Sequence, residues 1–392
     1  MIVLRANRLY TPQEQIENPL VFVEDGIVSG VFSEAAREIP RNATVIDLSR
    51  EYPDAILAPG FIDIHMHGGA GLDVMRASAG ELPRLNHFLT KHGVTGYFPT
   101  TVAAPLDQTC VALGQLADAI EAAATSPTSN GEVQAQPLGI HLEGPFLSHK
   151  RRGVHPPENL VEPTVEIFER LWQAARGHVS MMTIAPELPG ALEVIAEAAR
   201  RKVCVSIGHS DAKVEAARAG VRAGARHATH TFNAMRPLDH RDPGILAEVL
   251  TDGQITADII ADGIHVAPEV VKLFLNAKGK NGTVLITDAT AATGMPDGIY
   301  QLGPIQVSVK DGKCTMDGKL AGSVLTMDRA VRNITQFTDW ALRDAVQAAT
   351  LNAARAVGLK QTGVIAVGAE ANMVVLNRAG EVLKTLVRGC GF

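Results

Sequence analysis

Along the middle of the chain, short apolar runs alternate with longer stretches rich in Ala, Leu and Glu, the pattern of βα units around a parallel sheet. Eight such runs occur, at 61–64, 96–99, 138–142, 181–184, 203–207, 227–229, 256–260 and 284–287. Helical stretches at 83–92, 106–124, 165–175, 191–201 and 212–223 separate them and supply the crossover length that parallel strands need. Residues 57–358 are therefore expected to form an α/β fold, a (β/α)8 TIM-type barrel. A doubly wound open sheet competes, but its first βα turn would carry GxGxxG, and here His65-Met66-His67 stands there instead. The ends of the chain read differently. Short strands are expected at 2–4, 20–23, 27–31 and 44–48, with Glu24-Asp25-Gly26 as a turn, and again at 364–365, 373–376 and 382–387. Residues 1–56 and 359–392 should pair into one small β-sandwich domain.

Composition narrows the function. With 46% apolar and 20% charged residues the chain is an ordinary folded protein rather than a disordered one. A net charge of −6 and no basic run longer than Lys150-Arg151-Arg152, taken as a solvated edge, argue against nucleic acid and leave small-molecule chemistry. No apolar run approaches the ~20 residues of a membrane span, and the first residues carry no secretory pattern, so a cytoplasmic location without membrane contact is expected. Cys110, Cys204, Cys314 and Cys390 lie far apart, which predicts neither a disulfide framework nor a thiolate zinc site.

In such barrels the active site lies at the C-terminal ends of the strands. After the first run stand His65 and His67, after the third Glu143, after the fifth His209, after the sixth His230 and after the eighth Asp288. Each alone would read as a cap or packing residue. Together at one rim, six residues of metal-ligand type point to a hydrolytic metal site. His65 and His67, two apart on extended chain, share a face and can converge on one ion. His141, two before Glu143, shares its inward face and is left out of the site. His227, three before His230, is expected on the opposite face, against a helix. His87, His92, His149, His178 and His240 are taken as structural or exposed.

The segment Ala58-Pro59-Gly60-Phe61-Ile62-Asp63-Ile64-His65-Met66-His67-Gly68 resembles the first-strand signature of the amidohydrolase superfamily. More specific matches follow in Gly139 to Phe146 (GIHLEGPF), Gly208-His209-Ser210, Thr229 to Met235 (THTFNAM), Ala261 to His265 (ADGIH), Thr287-Asp288-Ala289 and Leu320-Ala321-Gly322-Ser323. Their order and spacing resemble the N-acetylglucosamine-6-phosphate deacetylase family. The resemblance implies that Glu143, His209 and His230 hold the principal divalent metal, that the His65/His67 pair leaves room for a second, and that Asp288 both touches the metal and moves the proton. Zn²⁺ suits these donors, with Fe²⁺, Mn²⁺ or Co²⁺ as alternatives. It further implies that His265 polarises the acetyl carbonyl, that Arg241 and His155 contact the phosphate, and that Asn233, Ala234, Leu320 and Ala321 contact the sugar. The implied partner is a phosphorylated amino sugar, and the implied assembly a homodimer in which Arg241 completes the neighbour's site. Three other readings stand beside this one. N-acetylgalactosamine 6-phosphate differs only in one epimeric hydroxyl. Cyclic amide or imide hydrolysis often uses a carboxylated Lys, yet Ala185-Pro186-Glu187 follows the fourth run. A catalytically dead scaffold would have lost ligands, and all six positions are filled. Asn372 departs from the Asp frequent in the superfamily, but it lies in the terminal β domain.

Overall fold

The eight apolar runs become parallel strands because each is buried on both faces, by barrel filling inside and by helices outside. They are β1 (Phe61–Met66), β2 (Val94–Pro99), β3 (Ile140–Glu143), β4 (Val179–Ile184), β5 (Cys204–Ile207), β6 (His227–Ala228), β7 (Thr256–Ile260) and β8 (Thr283–Ile286). The computed structural model describes residues 1–11, 14–125, 128–129 and 132–391. β1 pairs with β2, and β3 to β8 pair in sequence order, all parallel. The ring closes through single bridges, Thr100 with His141 and Met66 with Ala289.

Helices α1 (Leu82–Lys91), α2 (Leu106–Ala123), α3 (Val165–Ala174), α4 (Ala191–Arg200), α5 (Val214–Ala223), α6 (Gly244–Thr251), α7 (Pro268–Gly282) and α8 (Met327–Phe337) follow the strands in turn. In α4 the buried positions are Ala191, Val194, Ile195 and Ala198, the i, i+3, i+4, i+7 stripe that a helix lays on a sheet. α3 starts where the Thr164 hydroxyl accepts the Ile167 N–H at 3.2 Å, capping a donor the helix leaves unpaired. Inside the barrel, polar side chains bond one another: His141 Nε2 with Thr183 Oγ1 at 2.8 Å, and Thr183 Oγ1 with Thr229 Oγ1 at 2.7 Å.

The chain termini meet. One sheet runs Val382–Leu386, Met373–Leu376, Ile56–Pro59, Arg8–Tyr10, Gln15–Glu17, and a second runs Ile27–Ser33, Pro19–Glu24, Ile2–Arg5, Thr44–Asp47. Leu4, Leu9, Val21 and Val23 from one end pack with Ile365, Met373, Val375 and Leu386 from the other in a common core. The strand Ile56–Pro59 crosses the boundary expected at 56 and belongs to this sheet. Residues 364–365 form no strand: Gly363 and Gly368 take φ of 75° and 86° around them, although Ile365 is buried. An antiparallel meander after β8 adds Gly298–Leu302, Ile305–Lys310, Lys313–Met316 and Lys319–Leu320. Its last two turns are Asp-Gly pairs with left-handed φ, Asp311 and Gly312 at 50° and 74°, Asp317 and Gly318 at 50° and 76°, the geometry of tight hairpins.

Candidate metal centre and pocket

His65 and Glu143 stand at the C-terminal ends of β1 and β3, and His67, His209, His230 and Asp288 lie just past their strands, where the chain bends. His209, His230 and Asp288 have φ of 46°, 32° and 52°, in the left-handed region that non-glycine residues rarely adopt. The bend carries their side chains over the barrel mouth. His65, His67, Glu143, His209, His230 and Asp288 are all buried. Glu143 is the hub. Its Oε1 is 3.1 Å from His230 Nε2 and 3.3 Å from His209 Nε2, and these two nitrogens are 3.0 Å apart. Its Oε2 is 3.4 Å from His67 Nε2 and 3.5 Å from His65 Nε2, while Asp288 Oδ1 is 3.1 Å and 3.6 Å from the same two nitrogens.

Ring protons decide what these nitrogens can do. His67 Nδ1 donates to the Thr100 carbonyl at 3.0 Å and His209 Nδ1 to the Arg151 carbonyl at 2.9 Å, which turns the Nε2 of each ring toward Glu143. His230 is placed by its backbone N–H, which donates to Asp258. Burial pushes the Glu143 carboxyl up, but His65, His155, His209 and His230 outweigh it and hold it well below the usual carboxylate range. Asp288 is likewise raised by burial and then lowered, through His67 and the charge of His65, to about 2. Burial depresses His209 to about 4, which keeps the ring neutral.

Two buried carboxylates and converging imidazole nitrogens fit a divalent cation. Donors at tetrahedral Zn²⁺ distances stand roughly 3.3 Å apart, and the Glu143–His209–His230 triangle has edges of 3.0–3.3 Å. His65 Nδ1 and Nε2 are buried without a hydrogen-bond partner, as expected of a ring whose partner is an ion. His65, His67 and Glu143 form a second convergent group.

Above the cluster opens a cavity of about 160 Å³, with the candidate metal-ligand side chains on its floor. Besides His67, Glu143, His209, His230 and Asp288 it is lined by Val102, Gly153, Val154, His155, Asn233, Ala234, His265, Leu302, Leu320 and Gly322. Asn233 Nδ2 is buried without a partner, a donor for a ligand oxygen. His155 accepts the Ala103 N–H on Nδ1 at 3.1 Å, so its proton is on Nε2, 3.6 Å from Glu143 Oε2. It therefore sits beside the candidate metal cluster. His265 donates from Nδ1 to Asp262 at 2.7 Å. Ala321 packs into the meander core, leaving its neighbours Leu320 and Gly322 on the wall. Arg241 is exposed and outside the lining of its own chain's cavity. His227 is not against a helix: its Nε2 bonds Asp258 at 2.9 Å and its Nδ1 bonds Thr256 at 2.7 Å, both on β7. Leu302 escaped the sequence reading, although the apolar-polar alternation of 305–310 and the Asp-Gly turns signal the hairpins beside it.

The amidohydrolase family model matches residues 56–390. The chain belongs to the amidohydrolase family. Within it, this amidohydrolase is 35% identical over 390 residues to N-acetylglucosamine-6-phosphate deacetylase of Bacillus subtilis, covering 99% of this chain and 96% of that protein. It is also 35% identical over 389 residues to N-acetylgalactosamine-6-phosphate deacetylase of Escherichia coli O157:H7, covering 99% and 98%. A mutant N-acetyl-D-glucosamine-6-phosphate deacetylase from Mycobacterium smegmatis, solved in complex with N-acetyl-D-glucosamine-6-phosphate, superposes with a TM-score of 0.90 at 33% identity, covering 100% of this chain and 98% of that one.

Proposed function

We propose that this amidohydrolase removes the acetyl group from N-acetyl-D-glucosamine 6-phosphate, giving D-glucosamine 6-phosphate and acetate. The observation that carries the reading is an intact donor set lining a cavity at the barrel mouth in a chain that matches such deacetylases along its whole length. Glu143, His209 and His230 would hold the principal ion, with Zn²⁺ favoured by its donor chemistry and Fe²⁺, Mn²⁺ or Co²⁺ as alternatives, and His65 and His67 would complete a second position. A bound divalent ion supplies Lewis acidity to the amide carbonyl and lowers the pKa of water at the site.

The protein's own groups do the rest. Asp288 takes a proton from the attacking water as its oxygen bonds to the acetyl carbon, and returns a proton to the amine nitrogen as the C–N bond breaks. Two histidine roles expected from resemblance are better exchanged. The Nε2–H of His155, beside Glu143, suits the oxygen on which charge develops. His265, oriented by Asp262, suits the phosphate end together with Arg241. His155→Ala should lower kcat by about 10²–10³-fold with little change in KM, and His265→Ala should act mainly on KM. Steady-state kinetics giving the opposite split would restore the original roles.

Because Arg241 is exposed and off its own cavity, we assign it to the neighbour's phosphate in a homodimer with two-fold symmetry. Mixing Arg241→Ala with Asp288→Asn subunits should then recover activity, since one site of each mixed dimer carries neither defect. No recovery in verified heterodimers would return Arg241 to its own subunit. A phosphorylated substrate, too polar to cross a bilayer unaided, is the argument for a cytoplasmic location. The deciding experiment measures acetate release from N-acetylglucosamine 6-phosphate and its galactosamine epimer, with metal content on the same sample. Faster turnover of the epimer would reassign the substrate, and no acetate from either would sink the reading.

A further inference from the structure

Loops that carry three of the pocket histidines, His155, His209 and His230, meet at one carboxylate. Asp211, two residues after His209, accepts from Arg151 Nε on Oδ1 at 2.8 Å, and from Lys150 Nζ at 2.6 Å and Arg236 Nη1 at 3.3 Å on Oδ2. Glu187, in the loop after β4, holds this turn from behind: Oε1 accepts the Asp211 N–H at 2.6 Å and Oε2 the Ser210 hydroxyl at 2.7 Å. Arg236 also pairs with Asp242, the neighbour of Arg241. Loops after β3, β4, β5 and β6 are thus joined through charged groups.

Shielding decides which pairs matter. The side chains of Asp211, Arg151 and Arg236 are 15%, 27% and 23% exposed, whereas Lys150 is 67% exposed and its pair contributes little. Arg151 is the link to the metal centre, because its carbonyl receives His209 Nδ1–H at 2.9 Å. The same segment donates Ser148 N–H to the His209 carbonyl at 2.9 Å and runs on to His155 at the cavity wall.

We propose that Asp211 is a positioning residue for the catalytic pocket: through Arg151 it fixes the ring of His209 and the placement of His155, and through Arg236 it sets the loop that carries Asn233, Ala234 and Arg241. The kinetic side of this claim rests on the deacetylase reading, and the metal-binding side does not. The test uses full-length Co²⁺-loaded protein challenged with EDTA, with loss of visible absorbance reporting metal retention, alongside kinetics on N-acetylglucosamine 6-phosphate. Asp211→Asn and Arg151→Gln should each weaken Co²⁺ retention about tenfold, at the low end for groups that orient a metal ligand. The double variant should be little worse than either single one, because both break the same link. Arg236→Gln should raise KM and spare Co²⁺. Wild-type Co²⁺ retention in Asp211→Asn, or fully additive losses, would overturn the proposal. If Asp211→Asn fails to fold, Arg151→Gln decides alone, since it leaves the carbonyl in place and an unchanged retention refutes the link. Should the wild type release no acetate, the substrate reading falls while the Co²⁺ result still stands.

Discussion

Asp288→Asn should keep its metal and lose roughly 10²–10⁴-fold in turnover, the range for removing a general acid–base group. The amide keeps the size of the carboxylate and one oxygen facing His67, which lies 3.1 Å from Asp288 Oδ1. Asn also tolerates the left-handed backbone that Asp288 adopts at φ 52°, so the loop after β8 has no reason to move. What disappears is the ability to take a proton from water and return it to the amine. Metal analysis and single-turnover acetate release on the same preparation separate the two effects. Near-normal turnover would remove Asp288 from the proton path.

Glu143→Ala should lose the metal and with it essentially all activity. Glu143 is the one group that reaches every imidazole in the cluster, with Oε1 at 3.1 and 3.3 Å from His230 and His209 and Oε2 at 3.4, 3.5 and 3.6 Å from His67, His65 and His155. Without it, two histidines and a water must hold the principal ion, and the buried negative charge that favours a cation there is gone. The thermal midpoint should fall as well, because an ion bound only by the folded state stabilises that state. Glu143→Gln keeps the shape without the charge and should lie between wild type and Ala. Full metal content and full activity in the Ala variant would contradict the assignment.

The barrel was legible because its strands are buried on both faces, which turns each into an apolar run that needs no partner to be recognised. The six candidate donors at five strand ends were legible for the same reason: locating a strand locates its end. Side-chain direction beyond the end was not. Counting back three residues from His230 puts His227 on the outer face, but β6 is only His227–Ala228 and the chain has already turned by His230, so parity fails across the bend. The cationic run at 150–152 reads as a solvated edge, because the Asp211 that anchors Arg151 lies in another loop. The meander was not read from the sequence despite its Asp-Gly turns, and only tertiary packing brings Leu302 and Leu320 over the cavity. Arg241 is recognisable by type, but its own chain offers it no place in the pocket.

The left-handed backbone at His209, His230 and Asp288 sets the terms for anyone who engineers this protein. Each such residue costs about 1–2 kcal/mol relative to a relaxed conformation, a cost glycine would not incur. Glycine there would also delete a proposed metal donor or the proposed proton carrier. A search for thermal stability at these three positions therefore runs directly against turnover. Gains have to be sought in the outer helices and the terminal sandwich, while the mouth of the barrel stays under tension.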